Sequence, residues 1–185
     1  RTHLLSLLIE DVYGAQRCLK EGWIPVDLVY GHPGFQRPCH GLCVPPECRL
    51  LIHSVDIVRN PDGQFMVLRD RAETPGGAGY ALENRLALKR VLPEFFEGRG
   101  VRKLASFFNN LRNTVDELAR RRGGKTSAVF LTPGTLSQTY FEQAYLAQYL
   151  GFPLVQGDDL TVRNNRVYKK LLGGLEPVDV IIKRL

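Results

Sequence analysis

Asp56 and Asp70 stand in two segments that otherwise read as apolar strands. A carboxylate in such a place costs free energy unless a cation or hydrogen-bond donors meet it. Two carboxylates close together repel, and one pKa rises unless a cation lies between them. Mg2+ suits that role, because it takes one or two carboxylates and leaves the rest of its shell to substrate phosphates. Ordinary ion pairs with Arg59, Arg69 or Arg71 are the simpler alternative, and spacing alone favours them.

A second group runs from Thr74 to Arg85. Gly77 and Gly79 let a backbone approach a ligand closely and aim N–H groups at an anion. A helix start follows, containing Glu83, Asn84 and Arg85, and helix N-termini favour anions. The third glycine of a dinucleotide fingerprint is missing. Gly124-Lys125-Thr126 looks like the end of a P-loop. That motif needs glycine at the position of Ala119 and a strand before it, and here a helix precedes. Gly-x-Ser-x-Gly is absent, so no nucleophile elbow can be named.

These residues need elements to position them. Residues 50–59 and 64–71 read as strands joined by Asn60-Pro61-Asp62-Gly63, with Pro and Gly where a tight turn wants them. Pairing about that turn sets position 56 roughly opposite 67 and 58 opposite 65. Asp70 then lies beyond Asp56's partner at the same end of the ladder. Before the hairpin, residues 4–20 read as one helix and 30–48 as a long Pro- and Gly-rich loop. After it, residues 102–122 form an amphipathic helix, with Leu104, Phe107, Phe108, Leu111, Val115 and Leu118 on one face and Gly123-Gly124 at its end.

The pattern then alternates. A strand at 128–131 leads to a helix from Thr139 to Leu150 closed by Gly151, and a short strand follows at 153–155. Residues 161–168 read as a hairpin about Asn164-Asn165, and a strand runs from Val178 to Leu185. Strand, helix, strand implies a right-handed crossover and a parallel sheet. The fold class is α/β: an α+β first part with an antiparallel hairpin sheet, then a Rossmann-like parallel α/β part. The boundary is expected near Lys125, dividing the chain into 1–125 and 126–185. The first residue is not Met and the last lie in a strand-like run, so the chain reads as a piece of a longer protein with its second domain incomplete.

Composition excludes several classes. The 185 residues are 44% hydrophobic and 24% charged, which argues against disorder and allows a real core. No apolar run reaches the roughly 20 residues that span a bilayer. The net charge is +6, from 25 basic and 19 acidic residues. The densest basic cluster, Arg120-Arg121-Arg122 with Lys125, reads as a solvated helix end rather than a nucleic-acid surface. Cys18, Cys39, Cys43 and Cys48 lack the paired spacing of a zinc knuckle. They read as reduced thiols of a cytoplasmic protein.

The runs Val55-Asp56-Ile57-Val58-Arg59, Val67-Leu68-Arg69-Asp70-Arg71 and Gly77-Ala78-Gly79-Tyr80-Ala81-Leu82-Glu83-Asn84-Arg85 resemble the circularly permuted ATP-grasp family, whose relatives include glutathionylspermidine synthase-like proteins. The likeness continues through Phe130-Leu131-Thr132-Pro133-Gly134, Tyr140-Phe141-Glu142, Gly157-Asp158-Asp159-Leu160 and Pro177-Val178-Asp179-Val180-Ile181. It implies an ATP-dependent ligase that joins a small or peptide-like carboxylate to an amine through an acyl phosphate. ATP and Mg2+ are the implied cofactors. Asp56 and Asp70 would be the magnesium ligands. Arg59, Arg71 and Arg85 would steady phosphate or acyl-phosphate oxygens, with Gly77, Gly79, Glu83 and Asn84 completing the nucleotide side. Related ligases offer a Glu-x-Asn pair on the second strand. Asp70-Arg71-Ala72 stands there in this chain, and Asn84 is the residue that would replace it. The clamp that holds adenine would follow Leu185, so the chain by itself is expected not to turn over. The alternative is a non-catalytic interaction module that has kept the fold.

Overall fold

The computed structural model describes residues 1–73, 75–121 and 127–183. Thr74, residues 122–126 (with Gly123, Gly124 and Lys125) and Arg184-Leu185 lie outside the described residues, and so do the expected boundary and the P-loop-like string. The chain divides into two compact units, Arg1–Pro75 and Gly76–Leu185.

In the first unit the expected helix over 4–20 is broken. Helix α1 spans Thr2–Tyr13 and a short α2 spans Arg17–Lys20. The break has a backbone cause: a Cβ at Gly14 would stand 2.6 Å from the Glu10 carbonyl oxygen, and Gln16 is left-handed with φ of 56°. Asp11 then restarts the helix. Its carboxylate accepts the backbone N–H groups of Arg17 and Cys18, both at 2.9 Å, as a capping side chain does. A further short helix, α3, spans Val26–Tyr30. The segment after it is tied to α1 by stacked Tyr13 and Phe35 rings, 5.0 Å apart.

Strands β1 (Ser54–Arg59) and β2 (Phe65–Arg71) pair antiparallel. The turn is as the sequence predicts: Asn60 and Gln64 close it, and Gly63 takes φ of 85°. The register differs from expectation. Next to the turn Val58 already pairs with Met66 rather than Phe65, and a bulge beside Asp56 and Ile57 then adds one more residue on β2, so Asp56 pairs with Arg69 rather than lying near Val67, and Val55 pairs with Asp70.

The second unit is built on a parallel sheet. Helices α4 (Ala78–Val91) and α5 (Ala105–Arg120) precede strand β3 (Ala128–Leu131), helix α6 (Tyr140–Leu150) and strand β4 (Leu154–Val155). Strands β5 (Leu160–Arg163), β6 (Arg166–Leu171) and β7 (Gly174–Val178) form an antiparallel meander, and β8 (Val180–Lys183) returns to the parallel sheet. The order in that sheet is β4-β3-β8. Asn164 and Asn165 both have positive φ, as the hairpin turn they were read to form requires. The run from Val178 is not one strand; Asp179 separates β7 from β8 and donates its N–H to the Ser127 carbonyl. Leu82, Phe108, Val115, Phe130, Leu146 and Leu150 close the core between the helices and β3. Phe107 stands half exposed outside it.

Candidate functional site

Directly opposed residues of an antiparallel pair share a face, and successive residues alternate between faces. The observed register therefore puts Asp56, Arg69 and Arg71 on one face of the β1–β2 ribbon. Asp70 lies on the other face with Val55, Arg59 and Phe65. The two aspartates that the sequence suggested as a pair are adjacent in the ladder and point apart.

Each carboxylate has its own cations. Arg71 grips Asp56 with a fork: Nε donates to the two oxygens at 3.0 and 3.1 Å, and Nη2 donates to Oδ2 at 2.8 Å. The Nε of Arg69 stands 3.6 Å from Asp56 Oδ2. On the other face, Arg1 Nε donates to Asp70 Oδ1 at 2.9 Å and its Nη2 meets Oδ2. His53 Nε2 lies 3.0 Å from Asp70 Oδ1, and its Nδ1 lies 2.9 Å from Thr2 Oγ1. The Arg71 hydrogen bonds hold the Asp56 carboxyl below the usual carboxylate range. The Arg1 hydrogen bond, with a smaller push from His53, holds Asp70 down at about 2. Arg59 clasps its own turn, with Nε donating to the Gly63 carbonyl at 3.2 Å and its guanidinium over Phe65.

These groups do not fit one magnesium ion. Chelation by both aspartates needs carboxylates converging on a point, and here they diverge and are filled by guanidinium N–H groups. Among the described residues no group of three His, Cys, Asp or Glu side chains is arranged to hold a metal. Cys39, Cys43 and Cys48 line a cavity of about 530 Å³ with Ile9, Leu42 and Val44.

The glycine-rich segment meets an anion, but the anion is the protein's own. Buried Glu142, on α6, accepts the N–H of Gly77 at 2.8 Å and of Gly79 at 3.1 Å, both on Oε1. Negative charge at the start of α4 is stabilised by the N–H groups that have no partner inside the helix. The close approach explains Gly79: a Cβ there would stand 2.9 Å from Glu142 Cγ. The sequence reading missed Glu142 as a site residue. Its signal was an ionisable side chain within the apolar string Tyr140-Phe141-Glu142-Gln143-Ala144. Glu83 accepts the Tyr145 hydroxyl at 2.9 Å, and burial, then Glu83, pushes that phenol's pKa up. Asn84 is exposed. Arg85 donates to the Arg102 carbonyl at 3.1 Å and lies over Phe96. It lines a cavity of about 560 Å³ rimmed by Lys89, Arg102 and Lys103. Of the basic cluster after α5, Arg121 pairs with Glu117 at 2.9 Å.

A further polar cluster lies at the carboxyl end of β3. Open parallel sheets bind ligands beyond the carboxyl ends of their strands. At the end of β3, Thr132 is buried and its hydroxyl bonds buried Gln143, whose Nε2 donates to Thr139 Oγ1 at 2.9 Å. Gly134 follows with φ of 103°, and a Cβ there would meet Gln156 at 3.0 Å. The loop between β3 and α6 is thus held in one shape by polar side chains.

Comparison with known proteins agrees with this architecture of hairpin, helix start and parallel sheet. Residues 1–185 match the family described as circularly permuted ATP-grasp type 2, and the chain belongs to that family. An uncharacterized protein of Mycobacterium tuberculosis is 37% identical over 185 residues, covering all of this chain and 21% of that protein. An uncharacterized protein of Synechocystis is 35% identical over the same span, which is 38% of its length. One of Mycobacterium leprae is 34% identical over 33% of its length. The chain thus spans between about a fifth and two-fifths of these relatives. Among the described residues no helix is long and apolar enough to cross a membrane.

Proposed function

We propose that this chain is part of a cytoplasmic ATP-dependent ligase that joins a carboxylate to an amine. The observation that carries the reading is the family match across the whole chain. In the reaction a substrate carboxylate attacks the γ-phosphorus of ATP, giving an acyl phosphate and ADP. An amine then attacks the acyl carbon and expels phosphate, and the amide forms with loss of a proton.

This chain's own residues bind and orient. Arg71, fixed by Asp56, is a preset guanidinium for a phosphate or acyl-phosphate oxygen. In the second unit Arg85, at the rim of its cationic cavity, is another such group, while Arg59, on the ribbon face opposite Arg71, holds the hairpin turn. Gly77 and Gly79, locked by Glu142, set the start of α4 and so the position of Glu83 and Asn84. The loop from Thr132 to Gly134 offers the acceptor side. Asp56 and Asp70 act here by holding arginines and a histidine.

A second reading, a binding module that has kept the fold without turnover, draws support from the filled carboxylates on the ribbon and the filled N–H groups of Gly77 and Gly79. ADP release by the full-length protein, assayed against amino acids, small peptides and polyamines, separates the two. Release that requires one acid and one amine supports the ligase. Silence across the panel, with no heat of Mg-ATP binding in calorimetry, favours the module.

A further inference from the structure

On the face of the ribbon that carries Asp56, the charges near the carboxylate are both cationic. Arg69 stands directly opposite Asp56, and Arg71 is two residues along the same strand on the same face. One carboxylate faces two guanidiniums, which leaves that face with one excess positive charge. Arg71 spends Nε and Nη2 on Asp56, while Arg69 approaches Asp56 only at 3.6 Å. The Arg69 and Arg71 side chains are 67% and 49% exposed, so both are open to solvent. A divalent cation brought here would have to displace a forked ion pair and sit beside two positive charges. An oxyanion meets the reverse situation: planar donors whose geometry matches it, with Arg71 already oriented by Asp56.

We propose that guanidinium groups take the place of a divalent cation on this ribbon, so that Arg69 and Arg71 bind a phosphate oxyanion without metal. The role does not depend on turnover, and it holds for a ligase or for a binding module. Asp56 is then a positioning residue: it fixes the plane of Arg71 and limits the net charge. Asp70 takes no part, since it lies on the opposite face with Arg1 and His53.

The test reads the two arginines individually in the full-length protein. Phenylglyoxal modifies accessible arginines, and peptide mass spectrometry reports Arg69 and Arg71 separately. Inorganic tripolyphosphate is the probe, with EDTA present throughout. At a probe concentration of about ten times Kd, labelling of both residues falls by about tenfold. Asp56→Asn, which frees Arg71 from its fork, weakens that protection. Protection that appears only after Mg2+ replaces EDTA overturns the proposal, as does no protection under either condition. A local metal readout guards against a site elsewhere in the protein. Fe2+ with peroxide and ascorbate cleaves backbone beside a bound ion, and no cut is expected within residues 54–71. Cleavage there, abolished by Asp56→Asn, would show a metal site and refute the substitution of metal by arginine.

Discussion

Among the described residues of Arg1–Pro75, Leu19 is the one apolar side chain that is buried, and Trp23 and Phe65 are 72% and 70% exposed. Gly76–Leu185 instead buries a contiguous set that includes Phe108, Phe130 and Leu150. The first unit is tied by polar contacts: Arg49 with Glu10, Asp11 on the start of α2, Arg71 with Asp56, and Arg1 and His53 with Asp70. Exposed ion pairs contribute little each, and a two-stranded ribbon is marginal by itself. The second unit is stabilised by removal of apolar surface from water, a non-directional force that tolerates pH and salt. The two units should therefore fail under different conditions, and the chemistry proposed for the ribbon stands on the softer of them.

The largest effect is expected from the core. Phe130→Ala removes a ring that is 1% exposed and should cost about 3–5 kcal/mol. Hydrogen exchange in the full-length protein should show β3 and α6 losing protection while the β1–β2 ribbon keeps its own. Equal loss in both units would break the contrast. Next comes Glu142→Ala, which strands the N–H groups of Gly77 and Gly79 and should cost about 1–3 kcal/mol. The amides of residues 77–79 should then exchange faster, with Glu142→Gln keeping part of the protection.

Acid should act on the first unit. The folded pKa of Asp70 is about 2, below its ordinary 3.8, so the stability it contributes is complete above pH 3.8 and disappears as pH falls through about 2. Asp56 and Asp11 shift in the same direction, through Arg71 and through the backbone N–H groups of Cys18 and Arg17. Exchange protection in α1, α2 and the ribbon should drop over that window, and Asp70→Asn should remove Asp70's share of the pH dependence. The smallest effect is expected from salt. Raising it to 1 M shortens the Debye length to about 3 Å and should loosen the exposed Arg71–Asp56 pair slightly, leaving β3 unchanged.

Much of this was legible in the sequence where local rules act alone. The turn at Asn60–Gly63, the Asn164-Asn165 hairpin, the amphipathic α5 and the strand–helix–strand order all follow from short-range chemistry. The register of β1 with β2 did not: the pairs next to the turn sit one residue off the expected ones, and a bulge slips every later pair by one more and leaves no mark in composition. That shift decides which residue stands directly opposite Asp56, Arg69 in place of Val67, while Asp70 lies on the other face in either register. Gly14 hid the break in the first helix, because the close approach to the Glu10 carbonyl that a Cβ there would not allow is set by backbone angles. Glu142 was visible only as an odd residue in an apolar helix. Its partners lie more than 60 positions away in sequence.

The most direct measurement follows the side-chain carboxyl carbons of Asp56 and Asp70 by NMR in the full-length protein carrying 13C-labelled aspartate, during a magnesium titration at neutral pH. The two resonances, assigned with Asp56→Asn and Asp70→Asn, are predicted to stay where they are, within the drift of a matched sodium chloride control. Their joint movement at magnesium concentrations well below that drift would mean that both carboxylates reach one ion, and would contradict the opposed faces on which the account rests.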